Sequence, residues 1–145
     1  MEKLSHNMHM KLQEMCDCYI DSDYLSEIKR SAADQGADME EAALKYFALC
    51  ILETLTQKAL QLSVKKKNDK MKVTIASQHE KITLPPPTDE IGGEIFKIMR
   101  EITHLDQERG EMPLALGLRN GRVDVQVKIK KKEDEESMKL VFPEL

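Results

Sequence analysis

The side chains with the most reactive chemistry sit near the start of the chain: His6 and His9 among Met1, Met8 and Met10, with Cys16-Asp17-Cys18 a few residues on. Soft sulfur with imidazole is a ligand set that copper(I) or zinc would choose. A two-cysteine pair, however, needs partners at defined spacing to close a site, and none follows. Cys16 with Cys18 fares no better as a redox pair, and the third cysteine, Cys50, falls in an apolar helical stripe and reads as a packed thiol. His104, Asp106 and Glu108 supply acid and base in name only, because alternate residues past a helix end do not converge on one point. A histidine in that place is accounted for by the helix dipole. No Gly-x-x-x-x-Gly-Lys-Ser/Thr occurs, and no glycine precedes a lysine, so nothing cradles phosphates in the manner of a P-loop. The expectation is a non-enzymatic protein without metal or cofactor.

The lysines carry a second kind of chemistry. Formal net charge is −4, yet residues 1–62 hold eleven acids and six bases whereas residues 63–83 hold six bases and two acids. Lys65, Lys66, Lys67, Lys70 and Lys72 could form one basic surface with Lys128 and Lys130 if the two lysine-rich hairpins share an end of a sheet. Such a surface would suit nucleic acid or another anionic ligand. Against nucleic acid stand three tyrosines, three phenylalanines and no tryptophan, which leave little to stack bases on. Glu133-Asp134-Glu135-Glu136 would also neutralise half the patch. The plain alternative is a sheet edge kept from pairing with strangers by lysine.

These side chains are positioned by elements that the periodicity marks out. Met8 to Cys18 and Tyr24 to Asp34 are helical in flavour, with Asp21-Ser22-Asp23 as the break and Gln35-Gly36-Ala37 as the second stop. Asp38, with Glu41 three residues on, opens a longer helix to about Lys58, whose stripe is Leu44, Phe47, Ala48, Ile51, Leu52, Leu55 and Ala59. From Leu62 the period becomes alternating: a strand with Leu62 and Val64, a turn over Lys65 to Asp69, a strand with Met71, Val73 and Ile75 on one face, and a short strand Lys81 to Leu84 stopped by three prolines. Thr88 caps a second core helix carrying Ile91, Ile95, Ile98, Met99, Ile102 and Leu105, where Gly92-Gly93 implies either a close approach or a loose first turn. A polar link, Gln107 to Met112, leads to strands at Leu114–Leu118, Arg122–Lys130 and Ser137–Phe142, the first two joined through Arg119-Asn120-Gly121. The predicted class is α+β: an antiparallel sheet of about six strands covered by helices, with a helical segment over 1–37 and the α+β domain over 38–145.

From Ala42 to Phe142 this order of parts resembles the domain that precedes the motor domain in type II secretion and type IV pilus assembly ATPases. Leu62 and Val64 fall at the strand positions of that family's Ala-Ser-Asp-Ile-His-Ile-Glu-Pro motif, and Leu105-Asp106 with Pro113 at its helix end. Gly121-Arg122 with Asp124-Val125 falls at its Gly-Arg-x-x-Asp strand. The resemblance is of framework. Ser63 and Lys65 stand at the family's histidine and glutamate, and Thr74, Ala76, Met112 and Gln126 at arginines that, in the family, help hold the motor's nucleotide and a neighbouring subunit. It implies a bacterial stand-alone module that lacks the motor, acts as adaptor or regulator through a protein partner, and does not bind ATP or ADP tightly.

The partner surface expected from the sequence is the N-terminal segment, where Met8, Met10, Met15, Tyr19 and Leu25 give adaptable apolar area. The other reading is a cap over the core. No run reaches the length of a membrane span and no apolar leader opens the chain, so the expected compartment is the cytoplasm without membrane insertion.

Overall fold

Among the described residues, four helices and six strands follow one another as α1 (Glu2–Tyr19), α2 (Tyr24–Ala32), α3 (Met39–Thr56), β1 (Gln61–Lys67), β2 (Lys70–Ala76), β3 (Lys81–Leu84), α4 (Asp89–Thr103), β4 (Arg109–Leu118), β5 (Gly121–Lys131) and β6 (Glu135–Val141). The computed structural model describes residues 2–32, 38–105, 107–118 and 121–143, and for residues 2–7 the backbone alone. The strands form one antiparallel sheet in the order β3-β2-β1-β6-β5-β4. The α+β class and the six-stranded antiparallel sheet are as the periodicity predicts. The stop at Gln35-Gly36-Ala37, the link residue Asp106 and the turn residues Arg119 and Asn120 lie outside the described residues.

The helices cover one face. Asp38 caps α3 by accepting from the Glu41 amide at 3.1 Å, and Thr88 caps α4 by accepting from the Ile91 amide at 3.2 Å. The predicted stripe on α3 is too narrow: Ala43, Tyr46, Leu49 and Cys50 are buried as well. The reason is position, since α1, α2 and α4 all pack against α3 and leave it without a solvent side. In α4 the stripe Ile91, Ile95, Ile98, Met99 and Ile102 is buried as expected. Gly92 answers to a close approach, because the Met71 side chain of β2 lies where a Cβ would sit, with Sδ at 2.4 Å.

Two predicted loops are strand instead. The β1–β2 turn is only Asn68-Asp69, at φ of 50° and 64°, the left-handed pair of a tight two-residue hairpin. Lys65, Lys66 and Lys67 therefore continue β1, opposite Lys72, Met71 and Lys70. Arg109 to Met112, expected as a link, open β4 opposite Lys130 to Val127. Pro113 is tolerated inside β4 because β4 is an edge strand. The Gly117 amide points away from β5, and Pro113, an even number of residues earlier, would direct its missing N–H the same way.

That outer edge is partly closed by α1. His9 Nε2 donates to the Ala115 carbonyl at 2.7 Å, and the Gly117 amide donates to Gln13 Oε1 at 2.6 Å. Four helical residues rise about 6 Å and two strand residues about 6.6 Å, so side chains four apart on a helix match alternate backbone groups of a strand lying beside it.

Candidate functional site

Among the described residues, no helix covers the other face of the sheet. Alternation along the strands sends Leu62, Val64, Val73, Ile75, Val125, Val127, Ile129, Met138 and Leu140 into the core, and the residues between them onto the open side. What those residues are, and how register sets them side by side, defines the site.

One row runs across five strands as Lys72, Lys65, Ser137, Lys130, Arg109. The next row runs Thr83, Thr74, Ser63, Lys139, Lys128, Glu111. Toward the hairpin tips Lys70, Lys67 and Glu135 are opposed. The first row and all of the second but Thr83, with Lys81 and Glu135, line a trough of about 760 Å³. Among the described residues its lining holds seven cations against two carboxylates, Glu111 and Glu135, on a chain whose net charge is −4. Thr74 lies at its floor, only 6% exposed although it belongs to the open face.

The electrostatics of the trough are those of an unsatisfied surface. Lys65 with Lys72, Lys130 with Arg109, and Lys128 with Lys139 are directly opposed like charges, an arrangement that destabilises a sheet. Among the described residues one acid enters an ion pair with these cations, Glu135 with Lys65 at 3.1 Å. The hydrogen bond with Lys65, with Lys67 and Lys132 close by, holds the Glu135 carboxyl below the ordinary glutamate value. Conversely Lys132 and Arg109 push the Lys130 ammonium below the ordinary lysine value.

The two lysine-rich hairpins do share an end of the sheet: the Asn68 amide donates to the Asp134 carbonyl at 3.2 Å, turn to turn. Of the residues expected in a basic surface, Lys65, Lys72, Lys128 and Lys130 come together in the trough, and Lys67 and Lys70 flank it at the tip. Lys66 does not join them. It follows Leu62 and Val64 in alternation onto the helix side, where its Nζ lies 4.0 Å from the point a Cβ on Gly93 would occupy. The acidic block neutralises less than expected for the same reason: Glu136 is sent to the helix side and pairs with Arg100 at 3.0 Å, leaving Glu135 on the open face. Lys81, Arg109 and Lys139 were missed. Lys139 between Met138 and Leu140 carried an alternation signal; Arg109 carried none, being read as part of a link.

The residues expected to offer apolar partner surface are placed otherwise. Met8 is buried in the same core cluster as Leu12 and Cys16, and Met15 and Tyr19 pack against it. Met10 and Leu25, each 43% exposed, remain outside. The segment is a cap over α3, α4 and β4. His9 is engaged at the β4 edge, and no group of three or more His, Cys, Asp or Glu side chains among the described residues could hold a metal. Burial pushes the Cys16 and Cys50 thiols up to about 12, far from the range in which a thiolate forms at neutral pH. No helix among the described residues is long and apolar enough to cross a membrane.

No family model matches the chain, and no curated protein matches it.

Proposed function

We propose that this protein is a non-enzymatic binding module whose working surface is the open face of its sheet, and that its ligand is anionic. The observation that carries this is the register. Three directly opposed like-charge pairs meet in one trough on an otherwise acidic protein, and a sheet that needed only solubility would not place them opposite one another. A bound anion removes the repulsion and supplies the missing counter-charge, so the arrangement that is unfavourable in the free protein becomes favourable in the complex.

Kinship with the domain that precedes secretion and pilus motors belongs to the same proposal. What supports it is order: α3, the β1–β2 hairpin, the prolines before α4 and the β5 strand succeed one another as that framework has them. In this chain Ser63, Lys65 and Thr74 of that framework lie in the trough, so the open face is where a detached copy would have acquired its own ligand.

Retention on an immobilised polyanion such as heparin tests the reading. The protein should bind at low salt in spite of its net negative charge and elute with rising salt. Lys65→Ser with Lys130→Ser should abolish retention, and Lys29→Ser with Arg30→Ser on exposed α2 positions should leave it unchanged. Failure to bind at low salt, or equal loss in the α2 variant, would overturn the proposal.

A further inference from the structure

We infer that the anion is a chain of phosphates laid across the strands and held by its phosphoryl groups alone. This rests on the anion-binding reading above and narrows it.

Two features select phosphate over carboxylate, and a third excludes the reading of bases. First, the cations come in opposed pairs: Lys72 with Lys65 at one end of the row, and Lys130 with Arg109 at the other. Opposed residues on adjacent strands lie about 5 Å apart at Cα, so two cationic side chains can close on a single group. At Lys130 with Arg109 a carboxylate brings one charge and leaves the other cation uncompensated, whereas phosphoryl groups in sequence bring several oxygens and closely spaced charge there and reach on to Lys72, beside the Lys65 that Glu135 already pairs. Second, hydroxyls stand beside the cations. Ser137 lies between the two pairs in the row, with Ser63 and Thr74 in the row behind, and all three line the trough. Each can donate to a phosphoryl oxygen. Third, no aromatic side chain among the described residues lines the trough, so bases have nothing to stack on and sequence has no reader there.

The row also fixes a length. Lys72 to Arg109 spans five strands, hence four steps of about 4.8 Å or roughly 19 Å. Backbone phosphates carry one charge per about 3.4 Å along a strand, so on the order of five or six phosphates would fill the row. A single triphosphate would reach only one pair. The shared chemistry, consecutive phosphates without base contacts, belongs both to inorganic polyphosphate and to a nucleic-acid backbone.

The test is a binding series read by fluorescence anisotropy with linear inorganic polyphosphates from tripolyphosphate upward, single- and double-stranded oligonucleotides of mixed sequence, and poly-glutamate of matched charge. Affinity should climb by at least about tenfold between tripolyphosphate and a chain long enough to span the row, and should exceed that for poly-glutamate. Each lysine removed from the row should lower the salt slope by about 1. Lys65→Arg with Lys130→Arg should retain binding, and unchanged melting in Lys65→Ser with Lys130→Ser separates lost binding from lost fold. Binding of polyphosphate without oligonucleotides assigns the inorganic chain; equal binding of oligonucleotides irrespective of base assigns the backbone. Poly-glutamate bound as tightly as polyphosphate, or no dependence on phosphate number, would overturn the inference while leaving an anion-binding module standing. Absence of binding to every polyanion would remove both.

Discussion

The two faces of this sheet are made by the same strands and obey opposite rules. On the covered face Val64, Ile129 and Met138 join the apolar side chains of α3 and α4 in one buried core cluster, and charge enters that face toward the hairpin tips, at Lys66 and Glu136. One residue along the chain, Lys65 and Lys130 look outward and oppose like with like, with Ser137 between them. The covered face is optimised for the chain itself. The open face is tolerable only because water and salt screen it, and it becomes favourable when a counter-charged ligand arrives. A surface that costs the free protein something, in a register held as firmly as the core beneath it, is what separates a binding face from a merely solvated one.

Substitution on the two faces should therefore diverge. Ile51→Ala or Ile98→Ala, each removing a buried branched side chain from the helical layer, should cost on the order of 2–5 kcal/mol in chemical denaturation. Lys65→Ser with Lys130→Ser should leave the melting temperature nearly unchanged at low salt, because relief of the opposed like charges offsets loss of the exposed Lys65–Glu135 pair. Equal destabilisation by the two kinds of change would erase the distinction between the faces.

The edge of the sheet sharpens the comparison at smaller scale. His9→Ala with Gln13→Ala should remove about 1 kcal/mol for each hydrogen bond to β4 and expose the edge for pairing with a second copy. Light scattering would show the self-association; a variant as stable and monomeric as the wild type would show that α1 does not guard this edge. The thiols report on the covered side. In the native protein Cys18, which is exposed, should react with a thiol reagent, while Cys16 and Cys50, with thiols pushed up to about 12 by burial, should react only on unfolding. Prompt reaction of all three would mean that α1 and α3 open readily.

The smallest expected effect is in acid. The folded-state pKa of Glu135 lies below its ordinary value of 4.5, held there first by Lys65. Its contribution to stability is thus fully present above the ordinary value and is lost as pH falls through the depressed one. Glu135→Gln should flatten that limb of the stability profile and leave neutral pH nearly untouched, and a profile unchanged by the substitution would remove the pair from the account.

Much of the covered face was legible from the chain. The capping residues Asp38 and Thr88, the stripe on α4 and the alternation in β2 each state a local rule that the tertiary structure obeys. The width of the α3 stripe was not legible, because burial all round depends on which helices arrive from elsewhere. For the open face, parity within each strand was readable, and it places Lys72 and Lys128 outward. Adjacency was not. That Lys65 faces Lys72 follows from a turn two residues long, which the lysine run concealed. That Lys130 faces Arg109 follows from a strand beginning four residues before a proline, which is allowed only at an edge. The same alternation explains why Lys66 and Glu136, each beside a site residue in sequence, belong to the other face.

The most direct test of the central claim is a map of backbone amide chemical shifts on titration with linear inorganic polyphosphate at low salt. The perturbed amides should concentrate at Lys72, Lys65, Ser137, Lys130 and Arg109, with Ser63, Lys139 and Lys128 behind them, and added salt should reverse the shifts. Perturbations centred on α1 and α2, around Met10 and Leu25, would contradict it.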